Sequence, residues 1–178
     1  MVTLAGCSSS DDGKTADPSP SSSARSSAAA PSSPADPQAG EKKALLAAYG
    51  SYWDEQVSAY KSGTVQGTRL TKFATGDALA RVKSDLASMK SKGVTANGHP
   101  AHDVRVTALT TSTKVPSATL SDCLDISSWH FTYRKTGAAV PAPKTQLTRY
   151  RTVVKAEKWG TQWMILSATP KATKCTRA

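Results

Sequence analysis

Gln146-Leu147-Thr148-Arg149-Tyr150-Arg151-Thr152-Val153-Val154-Lys155-Ala156 is followed by Lys158-Trp159-Gly160, and then by Thr161-Gln162-Trp163-Met164-Ile165-Leu166-Ser167-Ala168. Two runs rich in β-branched and aromatic residues on either side of such a turn predict an antiparallel hairpin. Upstream, Val104, Val106 and Ala108 alternate with Arg105 and Thr107, the period of a strand with one wet face. Ala118 to Ile126 reads as a further strand, running on through Trp129-His130-Phe131-Thr132-Tyr133. Gly137 to Lys144, with Pro141 and Pro143, is a loop.

Before Pro100 the period is helical. Leu46, Tyr49, Trp53, Val57 and Tyr60 fall three or four apart between Glu41 and Lys61, with Gly63 as the stop. A short second helix is expected over Gln66 to Ala74. Thr75 is expected to cap a third, carrying Leu79, Val82, Leu86 and Met89 and ending at Gly93. Asp77 in its first turn and Lys90 and Lys92 in its last suit the helix dipole. Three helices followed by about four antiparallel strands make an α+β domain, with the helices packed on one face of a sheet.

The chain has 178 residues and a net charge of +10, unevenly placed. Residues 1–40 carry four acids and two bases, whereas residues 41–178 carry nine acids and 21 bases. In the first forty, 27 positions are Ser, Ala, Pro or Gly, too little apolar surface to offset the entropy of ordering. The expectation is therefore a remnant of a signal peptide at 1–6, a disordered tether at 7–40 and one domain at 41–178. No run approaches the roughly 18–20 apolar residues of a membrane-spanning helix.

Leu4-Ala5-Gly6-Cys7 resembles the bacterial lipobox, in which the Cys is diacylated and becomes the mature N-terminus. Only Met1 to Ala5 precede it, fewer than a basic and an apolar signal region need, so the translation start is expected upstream. With lipid on Cys7, the protein would sit on the extracellular face of the cytoplasmic membrane. Cys123 and Cys175 remain, an even pair suited to an exported, oxidised domain. Neither has a CxxC partner or an adjacent His, so a disulfide is read in preference to a metal or catalytic thiol. The loop it closes, of about 50 residues, is worth roughly 4 kcal/mol in the chain-entropy model.

The order and lengths of the elements over 41–178 resemble the nuclear transport factor 2-like (cystatin-like) superfamily. Within that span, the segments Ala74-Thr75-Gly76-Asp77-Ala78-Leu79-Ala80, Ser121-Asp122-Cys123-Leu124-Asp125 and Arg149-Tyr150-Arg151 resemble a family of secreted actinobacterial lipoproteins of that fold. The resemblance implies a curved, cone-shaped sheet wrapped over helices, with a pocket at its open end. The superfamily holds ketosteroid isomerase-like and polyketide cyclase-like enzymes beside many non-catalytic binding domains, so fold alone does not choose a function.

Four residues are the candidates for such a pocket: Asp122, Trp53, Tyr49 and His130. Asp122 shares its strand face with Leu120, Leu124 and Ile126, so the pleat aims a carboxylate among apolar side chains. Desolvation raises the pKa of such a group, fitting it to act as a base or to anchor a ligand. The plainer alternatives are a bulge turning it outward or an Arg from the hairpin pairing with it. Asp125, on the opposite face, is expected to be solvated. Tyr49, Tyr52, Trp53 and Tyr60 either line a pocket or form ordinary core. His130 is a candidate partner for Asp122 or Asp125.

Other signals are weaker. His99-Pro100-Ala101-His102-Asp103 offers three potential metal ligands, but Pro100 holds the stretch extended and no second cluster completes a tetrahedral site. Gly13-Lys14-Thr15 lacks the leading glycine and strand of a phosphate loop. Ser58-Ala59-Tyr60-Lys61, Ser121-Asp122-Cys123 and Lys135-Thr136-Gly137 follow the order of penicillin-binding serine enzymes, with Cys where Asn is needed and a domain about half the size. Arg149, Arg151 and Lys155 on one strand face, with Lys171, Lys174 and Arg177, form a basic surface. That surface suits anionic lipid or wall polymer, while no recognition element for nucleic acid is present. The reading is a lipid-anchored exported protein whose domain binds a small ligand or a partner protein without catalysis, with no catalytic residue, metal or cofactor expected. The alternative is a pocket enzyme of isomerase or cyclase type with Asp122 or His130 as base.

Overall fold

The structure, a computed structural model, describes residues 36–176. Cys7, Arg177 and nearly all of the stretch read as a tether lie outside them. Two helices, α1 (Ala39–Ser62) and α2 (Gly76–Lys92), precede and flank six strands. These are β1 (Val94–Gly98), β2 (Val104–Thr110), β3 (Ser117–Asp125), β4 (Trp129–Tyr133), β5 (Arg149–Trp159) and β6 (Gln162–Pro170). All strand pairs are antiparallel, in a four-stranded sheet of order β2-β3-β5-β6 and a separate ribbon β1-β4. No helix among the described residues is long and apolar enough to cross a membrane.

The helical stripes produce the core. In α1, Leu45, Tyr49, Tyr52, Trp53, Gln56 and Tyr60 are buried, while Leu46 is turned out at 38% exposure. Tyr49, Trp53, Val57 and Tyr60 are buried as their spacing predicts, while Leu45 replaces Leu46 and Tyr52 and Gln56 widen the stripe. Gly63 and Gly93 end the two helices in the left-handed conformation, which glycine adopts without Cβ strain. Glu41, in the first turn of α1, ties the helix to the hairpin: it accepts from Lys158 Nζ at 2.6 Å and from the Trp163 indole at 3.2 Å. The Lys158 contact holds the Glu41 carboxyl below its ordinary pKa.

The helix expected over Gln66–Ala74 shrinks to one 3₁₀ turn, Leu70–Lys72. Thr64 and Thr68 offer their side chains to nearby backbone groups, and Gly67 takes φ +80°. Phe73 to Thr75 then bridge onto β6: Ile165 N–H donates to the Phe73 carbonyl and Thr75 N–H to the Ile165 carbonyl. Thr75 stands at the head of α2 in extended backbone, but its side chain makes no cap bond.

Strand alternation sorts the sheet. Ala118, Leu120, Asp122 and Leu124 of β3 and Thr152, Val154 and Ala156 of β5 are buried on alternate positions. Cys123 points to the other side and is covered by the C-terminal tail, where it forms a disulfide with Cys175 at a Cα separation of 5.7 Å. The tail is also pinned by Arg151, whose N–H donates to the Thr173 carbonyl and whose carbonyl accepts from Lys171 N–H. β4 does not continue β3 as expected. Asp125 Oδ1 accepts from Ser127 N–H, and Trp129 N–H donates to the Ile126 carbonyl, so the chain turns at Ile126–Ser128 and crosses to β1.

Candidate functional site

One cavity of about 760 Å³ opens where the two helices, the β1-β4 ribbon and the inner face of the main sheet diverge. α1 contributes Tyr52, Trp53, Gln56 and Tyr60; α2 contributes Arg81, Asp85, Ser88, Met89 and Lys92. The far wall is the β4–β5 connection from Val140 to Thr148, the loop foreseen around Pro141 and Pro143. Trp129 is central to the aromatic wall: it stacks on Tyr60 at 5.4 Å and on Phe131 at 6.4 Å, and meets Trp53 edge-on at 5.9 Å. Burial pushes the Tyr52, Tyr60 and Tyr150 hydroxyls above the ordinary tyrosine pKa, so all three stay protonated at neutral pH. Tyr60 donates to Asp85 Oδ2 at 2.7 Å, and Arg81 sits 3.6 Å from the same oxygen.

The polar inventory of these walls is incomplete. Among the described residues, four buried side-chain atoms have no hydrogen-bond partner: Trp53 Nε1, Gln56 Oε1, Trp129 Nε1 and Thr152 Oγ1. All four belong to residues that line this cavity. The Trp53 indole acts on the Tyr49 hydroxyl, lowering its pKa against the effect of burial, so the clearest cases are the other three. Gln56 and Thr152 are only 6% and 2% exposed. An unmade buried hydrogen bond costs about 1–3 kcal/mol, and native structures carry few.

Of the four predicted pocket residues, Trp53 and His130 line the cavity and Asp122 and Tyr49 do not. Asp122 is fully buried behind it. Its Oδ2 accepts from Tyr49 Oη at 2.9 Å and lies 2.7 Å from His102 Nδ1, while Oδ1 accepts from Asp103 N–H at 3.2 Å. Neither a bulge nor an arginine accounts for Asp122: it is the centre of a polar cluster under α1. Burial and the adjacent Asp122 hold the Tyr49 hydroxyl well above its usual pKa. His102, not His130, is the histidine that meets Asp122. Ala101 exchanges both backbone hydrogen bonds with Asp125, and the Asp103 carbonyl accepts from Cys123 N–H, so residues 101–103 run along β3 and aim the ring inward. The ring also packs on Trp53 at 4.8 Å. His99, two residues beyond this pairing, is exposed.

Asp125 corrects a second expectation. It is 8% exposed rather than solvated, and accepts from both Nε and Nη2 of Arg149 and from Ser127 N–H. The Arg149 guanidinium holds its carboxyl well below the usual carboxylate range. One member of the outer basic stripe is thereby neutralised, and Arg151 donates to Ser121 Oγ at 2.7 Å.

Gln56, Thr152 and Lys144 escaped the sequence reading. Gln56 was detectable, as a polar residue one turn beyond Trp53 on an apolar stripe. Thr152 was not, because Thr is ordinary in a strand.

Fold and site together define an α+β domain, two helices against antiparallel sheets, enclosing an aromatic-walled cavity. No protein-family model and no curated protein matches the chain. Among solved structures, the intermembrane space region of the chloroplast protein ARC6 is similar at a TM-score of 0.42 and 15% identity, over 78% of this chain and 98% of that one.

Proposed function

We propose that this protein is an exported lipoprotein anchored through a diacylated Cys7, whose domain is a nuclear transport factor 2-like cone that binds a small ligand without transforming it. The observation that carries the binding role is the cavity itself: about 760 Å³, aromatic, with unpartnered buried polar atoms on its wall residues. Small-molecule sites have this composition, an apolar enclosure of roughly 300–1,000 Å³ with a few fixed polar groups. The lipobox and the Cys123–Cys175 disulfide support export, since disulfides persist in oxidising compartments.

Binding is favoured over isomerase or cyclase chemistry by where the proton-transfer groups stand. The carboxylate–histidine pair, Asp122 with His102, has its carboxylate outside the cavity wall and committed to protein partners. His130 does line the cavity, but the one carboxylate that lines it among the described residues, Asp85, is engaged by Tyr60 and Arg81. A base must reach the proton it removes, and among the described residues no carboxylate–histidine pair lines the cavity.

Titration of the full chain with the neutral dye Nile red tests the binding role. One saturable site per chain, with quenching of tryptophan fluorescence through Trp53 and Trp129, is expected. No saturable binding at micromolar protein would contradict it. Incorporation of radiolabelled palmitate that vanishes in Cys7→Ala tests the anchor; label retained in that variant would overturn it.

A further inference from the structure

We infer that the ligand is an anionic amphiphile: an apolar body carrying a hydroxyl or carbonyl oxygen, with a single anionic head at a lysine-bearing mouth. This rests on the cavity being a ligand site, and it goes on to say what the ligand is.

Charge comes first. Among the described residues, the charged side chains lining the cavity are Arg81, Lys92, Lys144 and Asp85. Asp85 is spent on Tyr60 and Arg81. Lys92 and Lys144 make no ion pair among the described residues, and both are exposed, which puts their ammonium groups at the solvent end. They come from unrelated elements, the last turn of α2 and the Pro143-Lys144 connection, yet border one cavity. A surplus of cations at an apolar opening attracts an anion.

The interior fixes the rest. Tyr52, Trp53, Met89, Val94 and Leu124 are buried lining residues that offer a second charge no compensation. A polyanion, whether nucleic acid or wall polymer, would find two lysines for many charges. The apolar body nevertheless cannot be bare hydrocarbon. The unmatched Trp129 indole is a donor only, the Thr152 hydroxyl both donates and accepts, and the unmatched Gln56 oxygen accepts; a ligand hydroxyl or carbonyl reaching the indole or the Thr152 hydroxyl, or a ligand hydroxyl reaching Gln56, would satisfy a group that the protein leaves unmatched.

The test measures displacement of Nile red from the full chain by dodecanoate, dodecanol and a mid-chain hydroxydodecanoate, all below their aggregation limits. Dodecanoate is expected to displace the dye at about tenfold lower concentration than dodecanol at low salt, as one or two exposed ion pairs would give. Because those pairs are exposed, the advantage should shrink several-fold at 0.5 M salt. It should disappear in Lys92→Gln/Lys144→Gln, a variant whose unchanged Nile red binding shows that the cavity is intact. The hydroxylated acid is expected to bind several-fold more tightly than the parent, an increment lost in Thr152→Val. Equal displacement by acid and alcohol in the native chain would overturn the anionic head, and equal displacement by hydroxylated and parent acid would overturn the oxygen-bearing body. Failure of Nile red itself to bind would instead remove the ligand site.

Discussion

Asp122 and Thr152 are neighbours across β3 and β5, side chains on the same buried face, and their surroundings are opposite. Asp122 is met by Tyr49, His102 and the Asp103 N–H. Among the described residues Thr152 Oγ1 has no hydrogen-bond partner, and the same is true of Gln56 Oε1 and Trp129 Nε1, which line the same cavity. Helix α1 serves both regions, with Tyr49 pointing into one and, less than two turns on, Gln56 into the other. The fold is thus able to satisfy a buried polar group at this depth, and does so for the more demanding of the two. Low dielectric makes a closed polar network rigid and an open one costly. The closed cluster belongs to the architecture; the open wall is read as the side kept for a ligand.

The contrast is broken most severely at Asp122. Asp122→Ala leaves the Tyr49 hydroxyl and the Asp103 N–H without their acceptor, and a loss of about 3 kcal/mol in denaturant unfolding is expected. A loss below about 1 kcal/mol would show that the cluster is not structural.

A smaller effect is expected at Asp125, closer to solvent, where Arg149 holds the carboxyl below its usual range. A depressed folded-state pKa stabilises the fold above the unfolded value of about 3.9, and that contribution fades as pH falls through the folded value. Asp125→Asn should therefore lower Tm at neutral pH and flatten the acid limb of the stability profile. An unchanged acid limb would mean the ion pair contributes nothing.

The smallest effect has the opposite sign. Thr152→Val replaces an unpartnered buried hydroxyl with a methyl of the same shape, so stability should hold or rise by up to about 1 kcal/mol.

What could be read from the residues follows from how local each signal is. The β5–β6 hairpin and both helices are legible because period and stop signals lie within the element, from Val153 against Val154 to Gly63 and Gly93. β1 is not, since Val94 and Ala96 are its only buried residues. Gln66–Ala74 misleads because a bridge to Ile165, some ninety positions on, outweighs its local pattern. At the site, Trp53 is recoverable from helical spacing, whereas His130, offered as a partner for Asp122 or Asp125, lines the cavity in a different role. Choosing His102 over His130 as the partner of Asp122 required the pairing of residues 101–103 with β3, which is tertiary information. The unmatched state of Thr152 and Gln56 lies beyond a sequence reading, because it depends on which groups fail to approach.

The division between a closed cluster at Asp122 and an open wall at Thr152 is decided by Thr152→Val, with unfolding free energy and displacement of Nile red by mid-chain hydroxydodecanoate measured on the same preparations. Stability equal to or above that of the native chain, together with several-fold weaker binding of the hydroxylated acid, is the predicted result. A variant that loses more than about 1 kcal/mol of stability while binding the acid unchanged would show that the hydroxyl serves the fold, and the contrast between the two regions would not stand.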